Sequence, residues 1–195
     1  MKSSSTIKRI GILTGGGDCP GLNAVIRAIA KTAINHYGLE VYGIRDGFLG
    51  LILNQMDRLE LSDVSNILAR GGTILGSSNR ADPTHYEIGR DGEGKPIYAN
   101  VYDRVLEHIA RRRLDALLCA GGDGTMTGLA SLARAGVRCM GLPKTIDNDL
   151  LLTEITFGFQ TAVAPRPRRS TASRPRRPAI IGSCWSRSWG ATPAG

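Results

Sequence analysis

Short apolar runs alternate with glycine-rich turns and with segments of helical composition along the first 164 residues. Apolar runs of this length, bounded by glycines, are typical of buried strands. Strands are predicted at about 7–14, 40–45, 73–76, 115–120 and 137–142. Because strands and helices alternate, the pattern predicts an α/β fold: a three-layer sandwich with a mostly parallel, Rossmann-like sheet.

Helices are predicted where apolar residues recur every three or four positions. The clearest is the segment from about Leu22 to His36, for which Gly38 is a natural stop. Others are expected from 62 to before the Gly71-Gly72 pair, from 101 up to the arginines at 111–113, and over 126–135. The stretch 82–96 is polar and without periodicity, so it is interpreted as an irregular excursion or flap.

The turn after the fourth predicted strand has the composition of a phosphate site. Gly121-Gly122-Asp123-Gly124-Thr125 separates a buried strand from a helix. Glycines let an anion approach the backbone, and the N–H groups that open the helix point at the same space. Asp123 would repel a phosphate, so we expect it to hold a divalent cation. A turn that carries these glycines for geometry alone is the structural alternative.

The loop after the fifth predicted strand concentrates charged groups. Lys144, Asp147 and Asp149 fall within six residues of one another. One aspartate could accept a proton from a hydroxyl while the other works with the metal, if their surroundings differ. An Asx-turn that only caps backbone groups is the alternative.

Two further loops carry weaker signals. The first predicted strand ends in Gly15-Gly16-Gly17-Asp18, a second glycine-rich turn. Parallel sheets collect ligands at the carboxyl ends of their strands, so the two glycine turns together are a stronger indication than either alone. Arg80 follows the third predicted strand, where a guanidinium can bind phosphate oxygens.

Charge is unevenly distributed over the 195 residues, although the formal net charge is +8. Residues 165–195 hold seven of the 25 basic residues and no acidic ones, so 18 basic residues stand against 17 acidic ones before them. The near-neutral body disfavours nucleic acid as a partner. Four cysteines without C-x-x-C spacing favour reduced thiols, and no apolar run is long enough for a membrane span. A cytoplasmic protein with no membrane partner is therefore expected.

The two central motifs together resemble the 6-phosphofructokinase family. Gly121 to Thr125 followed by Pro143-Lys144-Thr145-Ile146-Asp147-Asn148-Asp149 is specific to that resemblance. NAD kinases and diacylglycerol kinases share the glycine element but not the second run. Gly16-Gly17-Asp18 with Pro20-Gly21-Leu22-Asn23 resembles the family's first nucleotide-contacting loop.

The resemblance implies roles for individual residues. Asp147 would be the base on the sugar hydroxyl, Thr145 a substrate contact, and Asp123 the metal-associated carboxylate. The residues implied to hold the donor's phosphates are Gly17, Arg80, Gly122, Asp123, Gly124 and Thr125. Asp149 is a lesser candidate for the metal shell. Gly124 follows the family's ATP-using pattern, whereas Lys144 resembles its pyrophosphate-using pattern.

The implied activity is transfer of the terminal phosphoryl group of ATP to the 1-hydroxyl of fructose 6-phosphate, with Mg²⁺, in a homo-oligomer when full length. Pyrophosphate is the alternative donor. The family's later substrate residues have no matching positions, so this chain is expected to be an inactive fragment. Two alternatives of another class are a noncatalytic nucleotide-binding fragment and a basic nucleic-acid-binding protein.

Residues 165–195 depart abruptly from the resemblance. They contain five of the nine prolines, both tryptophans and no apolar periodicity. With suitable synonymous codons, a shifted frame over 182–195 encodes Val-Met-Leu-Val-Glu-Val-Met-Gly-Arg-Asn-Ala-Gly-Trp, which looks like the family's sugar-phosphate-binding segment. We therefore expect a nucleotide-binding part at 1–164 and a frameshifted, disordered tail at 165–195.

Overall fold

The computed structural model describes residues 7–78 and 81–164. It divides the chain into two units, Met1–Ala164 and Pro165–Gly195. The expectations for the tail and for Arg80 lie outside the described residues. All the secondary structure below belongs to the first unit.

A six-stranded sheet forms the centre of the first unit, and a separate two-stranded hairpin lies outside it. The strands are β1 (Arg9–Thr14), β2 (Glu40–Ile44), β3 (Met56–Arg58), β4 (Tyr86–Arg90), β5 (Pro96–Ala99), β6 (Ala116–Gly121), β7 (Cys139–Thr145) and β8 (Phe157–Gly158). The sheet order is β3-β2-β1-β6-β7-β8, and every pair is parallel except β2 with β3. The prediction of a mostly parallel α/β sheet is confirmed.

Residues 7–78 and 81–164 form five helices, four of them between strands and the fifth after β8. They are α1 (Leu22–Tyr37), α2 (Phe48–Leu53), α3 (Tyr102–Arg112), α4 (Asp123–Arg134) and α5 (Phe159–Val163). In the strand order, α1 leads from β1 outward to β2 in one direction, and α4 leads from β6 outward to β7 in the opposite direction. Right-handed crossovers that run in opposite directions place their helices on opposite faces. The result is the three-layer arrangement.

Each face of the sheet has its own apolar core. On one face, residues of α2, α3 and α4 pack on Leu13, Leu117 and Cys119 of the strands. On the other face, Ile26 and Ala30 of α1 pack on alternating residues of β1 and β2. Because consecutive side chains of a strand point to opposite faces, β1 serves both cores and is buried along nearly its whole length.

Helix α1 ends where its sequence predicts. Gly38 adopts a left-handed conformation with φ 62°; its N–H donates to the Ile34 carbonyl, and the N–H of Leu39 donates to the Ala33 carbonyl. These bonds satisfy carbonyls that would otherwise have no partner at the end of the helix. The four long predicted strands at 7–14, 40–45, 115–120 and 137–142 are likewise present, shifted by at most three residues at either end.

The predicted strand at 73–76 is wrong, because this segment is a turn. Gly76 has φ +71°, and its N–H donates to the Thr73 carbonyl. The backbone N–H of Ile74 bonds to the side chain of Asn23, and the Gly76 carbonyl accepts from the Thr14 hydroxyl. These long-range bonds replace the hydrogen bonds of a strand ladder.

Two other local predictions are corrected. The helix expected from Ser62 is a series of turns over residues 61–66, with the Ser65 hydroxyl donating to the Leu61 carbonyl. The stretch 82–96, interpreted as irregular, contributes most of the β4–β5 hairpin. Hydrogen bonds between its two strands compensate for its lack of a buried apolar face. Strand β3 and helix α2 were not predicted at all, since both are too short to show a period.

Candidate nucleotide and phosphoryl-transfer site

The loops that carry the predicted site lie side by side at one edge of the sheet. Strands β1, β6 and β7 are neighbours and run parallel, so the residues that follow them meet at their carboxyl ends. The contact is direct, because the Gly15 N–H donates to the Ala120 carbonyl at 2.8 Å. The three loops found separately in the sequence are therefore one locality in the structure.

Thr125 holds the first two of these loops together. The side chain is buried, 6% exposed, and lies between Gly15 and Gly121. A Cβ atom at Gly15 would be 2.5 Å from the Thr125 hydroxyl, and one at Gly121 would be closer still. These two glycines therefore make room for a threonine, in addition to any approach of a ligand. Thr125 also lines the cavity described next.

A cavity of about 570 Å³ opens at the N-terminus of α4. Helix α4 begins at Asp123 after Gly122, and the N–H groups of its first turn have no partner within the helix. A Cβ at Gly124 would meet no atom within 4 Å, nor would one at Gly17. The cavity is lined by Gly16, Phe48, Ser78, residues 81–84, Tyr102, residues 122–125, Thr127, Gly128 and Ser131.

Asp123 is the acidic residue of the first turn of α4 and lines this cavity. Its carboxylate is exposed and accepts no hydrogen bond from any described residue. Among the residues the structure describes, no three potential ligands cluster in a way that could hold a metal ion. Mg²⁺ is commonly held by one or two carboxylates together with phosphate oxygens and water. A single carboxylate beside a phosphate-sized space fits that mode of binding.

The loop after β7 gives its two aspartates different surroundings. The Thr145 hydroxyl donates to Asp149 Oδ1 at 3.0 Å and accepts the Asp147 backbone N–H at 3.1 Å. The Asp147 carboxylate is exposed and has no hydrogen bond or ion pair with any part of the chain that the structure describes. The aspartate with the unengaged carboxylate is thus the one predicted to be the base.

Asn148 is the residue of this loop whose side chain caps backbone groups, although its partners are too far along the chain for an Asx-turn. It adopts φ 53°, its amide donates to the Glu154 carbonyl, and its side-chain oxygen accepts the Thr156 N–H at 2.9 Å. Thr156, which is buried, also donates its hydroxyl to the Thr145 carbonyl. The structural alternative, a side chain that caps backbone groups, therefore applies to Asn148 and not to the Asp147 carboxylate.

Lys144 does not face the cavity at α4. Its side chain is buried, 4% exposed, and its ammonium donates to the carbonyl of Gly17 in the first glycine loop. Burial lowers the pKa of Lys144, while the neighbouring Cys19 and Asp18 act in the opposite direction. Burial likewise raises the pKa of the Cys19 thiol.

Several residues of the site carried no sequence signal. Phe48 and Tyr102 line the cavity from α2 and α3, and Asn23 fastens α1 to the turn at 70–74 through bonds to Arg70 and Ile74. Phe48 and Tyr102 are distant in sequence from the motifs, so only the packing of helices on the sheet brings them there. Asn23 was part of the loop that resembles the family, but its structural role was not predicted.

The phosphofructokinase family model matches residues 9–166. The chain belongs to the phosphofructokinase family. Among curated relatives, an ATP-dependent 6-phosphofructokinase 2 of Clostridium perfringens is 53% identical over 156 residues, covering 80% of this chain and 42% of the relative. An ATP-dependent 6-phosphofructokinase 3 of Bacteroides thetaiotaomicron is 43% identical over 178 residues, covering 89% of this chain and 51% of the relative. This phosphofructokinase chain thus spans about half the length of those relatives.

Solved phosphofructokinase structures share the fold. The Pichia pastoris phosphofructokinase in the T-state superposes with a TM-score of 0.66 at 30% identity, over 82% of this chain and 17% of that one. A pyrophosphate-dependent phosphofructokinase from Marinobacter aquaeolei superposes with a TM-score of 0.61 at 24% identity, over 78% of this chain and 37% of that one. The architecture is a truncated phosphofructokinase fold. No helix among residues 7–78 and 81–164 is long and apolar enough to cross a membrane.

Proposed function

We propose that the intact protein is a 6-phosphofructokinase that transfers the terminal phosphoryl group of ATP to the 1-hydroxyl of fructose 6-phosphate. The observation that supports this most is the cavity at the N-terminus of α4, bordered by Gly122, Asp123 and Gly124 in a chain of this family. Its volume suits part of a nucleotide, and a helix N-terminus favours phosphate. The 195-residue chain is the nucleotide-binding part of that enzyme.

Asp147 is the general base in this proposal. Its exposed carboxylate is not engaged by any described residue, so it is free to accept the proton of the sugar hydroxyl as the new P–O bond forms. Thr145 contacts the sugar phosphate substrate from the end of β7. Asp149 orients Thr145 through their hydrogen bond and is the lesser candidate for the metal shell.

The phosphates of the donor lie along the two glycine loops. The open space at Gly17 and at Gly124 lets phosphate oxygens reach backbone N–H groups. Gly122, Thr125 and Arg80 complete the proposed phosphate contacts. Asp123 would hold Mg²⁺ with phosphate oxygens as its other ligands, and the bound cation neutralises charge on the phosphates.

Pyrophosphate is the second candidate donor, and Lys144 is the observation that favours it. A cation near the first glycine loop could offset the charge of a donor that lacks adenosine. The open position at Gly124 favours ATP, because a side chain there would enter the cavity where the nucleotide passes. We give the steric effect at Gly124 more weight, since the Lys144 ammonium is bound to the Gly17 carbonyl and Lys144 does not line the cavity.

Residues 165–195 are proposed to arise from a shifted reading frame. The reasons are the excess of arginine and proline after Ala164 and the strand-like peptide encoded in another frame. The intact protein is proposed to be a cytoplasmic homo-oligomer, a dimer or a tetramer. A noncatalytic nucleotide-binding fragment is what the chain would be if translated as written.

A coupled assay for fructose 1,6-bisphosphate tests the proposal. The purified 195-residue chain is expected to show no turnover, and a protein with the frame restored after Ala164 and the absent half supplied is expected to be active. Turnover by the short chain that Asp147→Asn abolishes would contradict the fragment proposal. An inactive restored protein would contradict the activity itself. Sequencing the DNA across Ala164 in independent clones tests the frameshift separately.

A further inference from the structure

Lys144 occupies an unusual position for a lysine beside a phosphate site. It is the next-to-last residue of β7 and one of the few buried charged side chains of the described chain, 4% exposed. A buried ammonium is costly unless hydrogen bonds replace its water. In the part of the chain that the structure describes, its hydrogen-bond acceptor is the Gly17 carbonyl. The contact joins residues 127 positions apart in sequence.

The two ends of this residue touch different glycine loops. A Cβ at Gly16 would lie 3.5 Å from the Lys144 ammonium, and a Cβ at Gly122 would lie 3.7 Å from the Lys144 carbonyl oxygen. The residue therefore spans from the loop after β6 to the loop after β1. Its stem fills the space between them, and its charge faces the backbone of the loop and Asp18 rather than the cavity.

Among the described residues, the loop that Lys144 holds has few other bonds beyond the one at its start, where the Gly15 N–H donates to the Ala120 carbonyl at 2.8 Å. The Gly16 N–H donates to the Ser78 carbonyl at a long 3.4 Å, and the Cys19 N–H is bonded to the side chain of its own neighbour Asp18. Gly16 adopts φ +78°, and Gly17 has open space around it. A glycine-rich loop with so few constraints samples many conformations unless a side chain fixes it.

We propose that Lys144 is a positioning residue that fixes the Gly15–Asp18 loop by binding the Gly17 carbonyl, so that the loop is preorganised for the donor's phosphates. The part of this inference that concerns phosphate rests on the proposed function. Preorganisation lowers the cost of ordering a loop on binding. Because the ammonium is committed to the loop, a donor without adenosine would have to break this bond to use its charge.

Amide hydrogen exchange in the ligand-free 195-residue chain tests the contact itself. Lys144→Met keeps the stem and removes the donor, and it is expected to speed exchange at Gly16 and Cys19 at least tenfold while Val41 in β2 stays unchanged. Lys144→Arg, which keeps a donor, should restore much of the protection. Lys95→Met, at an exposed lysine of the hairpin turn, is the matched control and should change nothing. If Lys144→Met unfolds, Lys144→Gln replaces it, because its shorter side chain also falls short of Gly17.

Binding of ATP and of adenosine separates positioning from a general loss of structure. Lys144→Met is expected to raise the dissociation constant for ATP at least tenfold. The dissociation constant for adenosine, which has no phosphates, should stay within twofold. If Lys144→Met weakens ATP binding but leaves amide exchange at Gly16 and Cys19 unchanged, the proposal is overturned. Lys144 would then be a direct phosphate ligand only. Equal weakening of ATP and adenosine would also overturn it. If the unsubstituted chain binds no ATP, the proposed nucleotide site fails, and the exchange experiment alone decides the loop contact.

Discussion

The hydroxyl of Thr145 donates a hydrogen bond to Asp149 at 3.0 Å, while Asp147, two residues earlier in the loop, presents its carboxylate to solvent. The two aspartates of the loop are thus not equivalent. Asp149 is bonded to Thr145 and so can orient that side chain. Asp147 can accept a proton directly.

Asp147→Asn in the frame-restored enzyme is expected to lower kcat by about 10²–10⁴, the usual contribution of a general base. The KM for fructose 6-phosphate should change little, because asparagine keeps the shape and hydrogen-bonding capacity of the side chain. Asp149→Asn should have the smaller effect on kcat and the larger effect on KM, since it disturbs Thr145. Steady-state kinetics of both variants check this. If Asp149→Asn lowers kcat more than Asp147→Asn does, Asp149 is the general base and Asp147 is not.

Asp115 gives the first strand a pH-dependent attachment. Its carboxylate accepts the backbone N–H groups of Lys8 and Arg9 at 2.7 and 2.9 Å, and these bonds lower the pKa of Asp115. A carboxyl whose pKa is lowered by folding adds stability above its unfolded pKa of about 3.9, and that stability is lost as pH falls through the folded value.

Asp115→Ala is therefore expected to lower Tm at pH 7 by about 2–4 °C and to have less effect near pH 3. Thermal unfolding followed by circular dichroism at both pH values measures the difference. Asp57→Ala is the control, because that carboxylate is exposed and its ion-pair partner is the exposed Arg45. A loss of Tm that is the same at both pH values would mean that Asp115 acts by packing and not by its charge.

The sequence predicted most of the sheet because buried parallel strands are nearly continuous apolar runs. Leu117 and Leu118, for example, face opposite cores. Because both faces of β6 are apolar, it could be identified without an alternation of apolar and polar residues. The turn at 73–76 misled the prediction for the same reason. Ile74 and Leu75 form an apolar pair, but what decides their conformation is hydrogen bonding to Asn23 and Asp46, which are distant in sequence.

The site was predicted as a set of motifs, but not the contacts inside it. Glycine spacing shows where the backbone leaves room for a neighbouring group. It does not say whether that group is a side chain of the protein or a ligand. At Gly15 and Gly121 the neighbour is Thr125, whereas at Gly17 and Gly124 the space is open. Similarly, the sequence places Lys144 next to Thr145, but the reach of its stem to Gly17 depends on how β1 and β7 flank β6.

One face of the sheet beside β7 lacks a covering layer within the described residues. An apolar groove of about 860 Å³ runs between α1 and strands β6 and β7, lined in part by Ile29, Leu118 and Met140. Met140 is 59% exposed although it lies on an interior parallel strand. Parallel sheets are normally covered on both faces. We expect this face to lower the stability of the chain expressed alone.

The chain is expected to bind a hydrophobic dye such as ANS in its folded form and to aggregate on concentration. Met140→Lys should reduce both, because it places a charge in the groove. Leu151→Lys is the matched control, since Leu151 is more exposed but lies outside the groove. Fluorescence titration and light scattering measure the two effects. If the chain is monomeric, binds no dye and unfolds in a cooperative thermal transition, the groove causes neither instability nor aggregation.

The choice of phosphoryl donor depends on a position where the structure is open. A Cβ at Gly124 meets nothing within 4 Å, and Gly124 lines the cavity, so an aspartate there is compatible with the fold and would take up space at the cavity wall. Its charge would also repel phosphate. The Lys144 ammonium is bound to the Gly17 carbonyl, and Lys144 does not line the cavity. Steric exclusion at Gly124 should therefore dominate over the charge at Lys144.

In the frame-restored enzyme, Gly124→Asp is expected to lower kcat/KM for ATP by more than about 100-fold, which corresponds to roughly 2.7 kcal/mol of lost transition-state stabilisation. Lys144→Gly should lower it far less, by about tenfold. Gly128→Asp is not a useful control, because a Cβ at Gly128 would collide with the Phe48 ring, but Gly124→Ala is: its methyl group fits and should cost only a few-fold. Assays with ATP and with pyrophosphate as donors decide the matter. If the unsubstituted enzyme turns over pyrophosphate and ignores ATP, open space at Gly124 does not determine the donor, and the charge at Lys144 does.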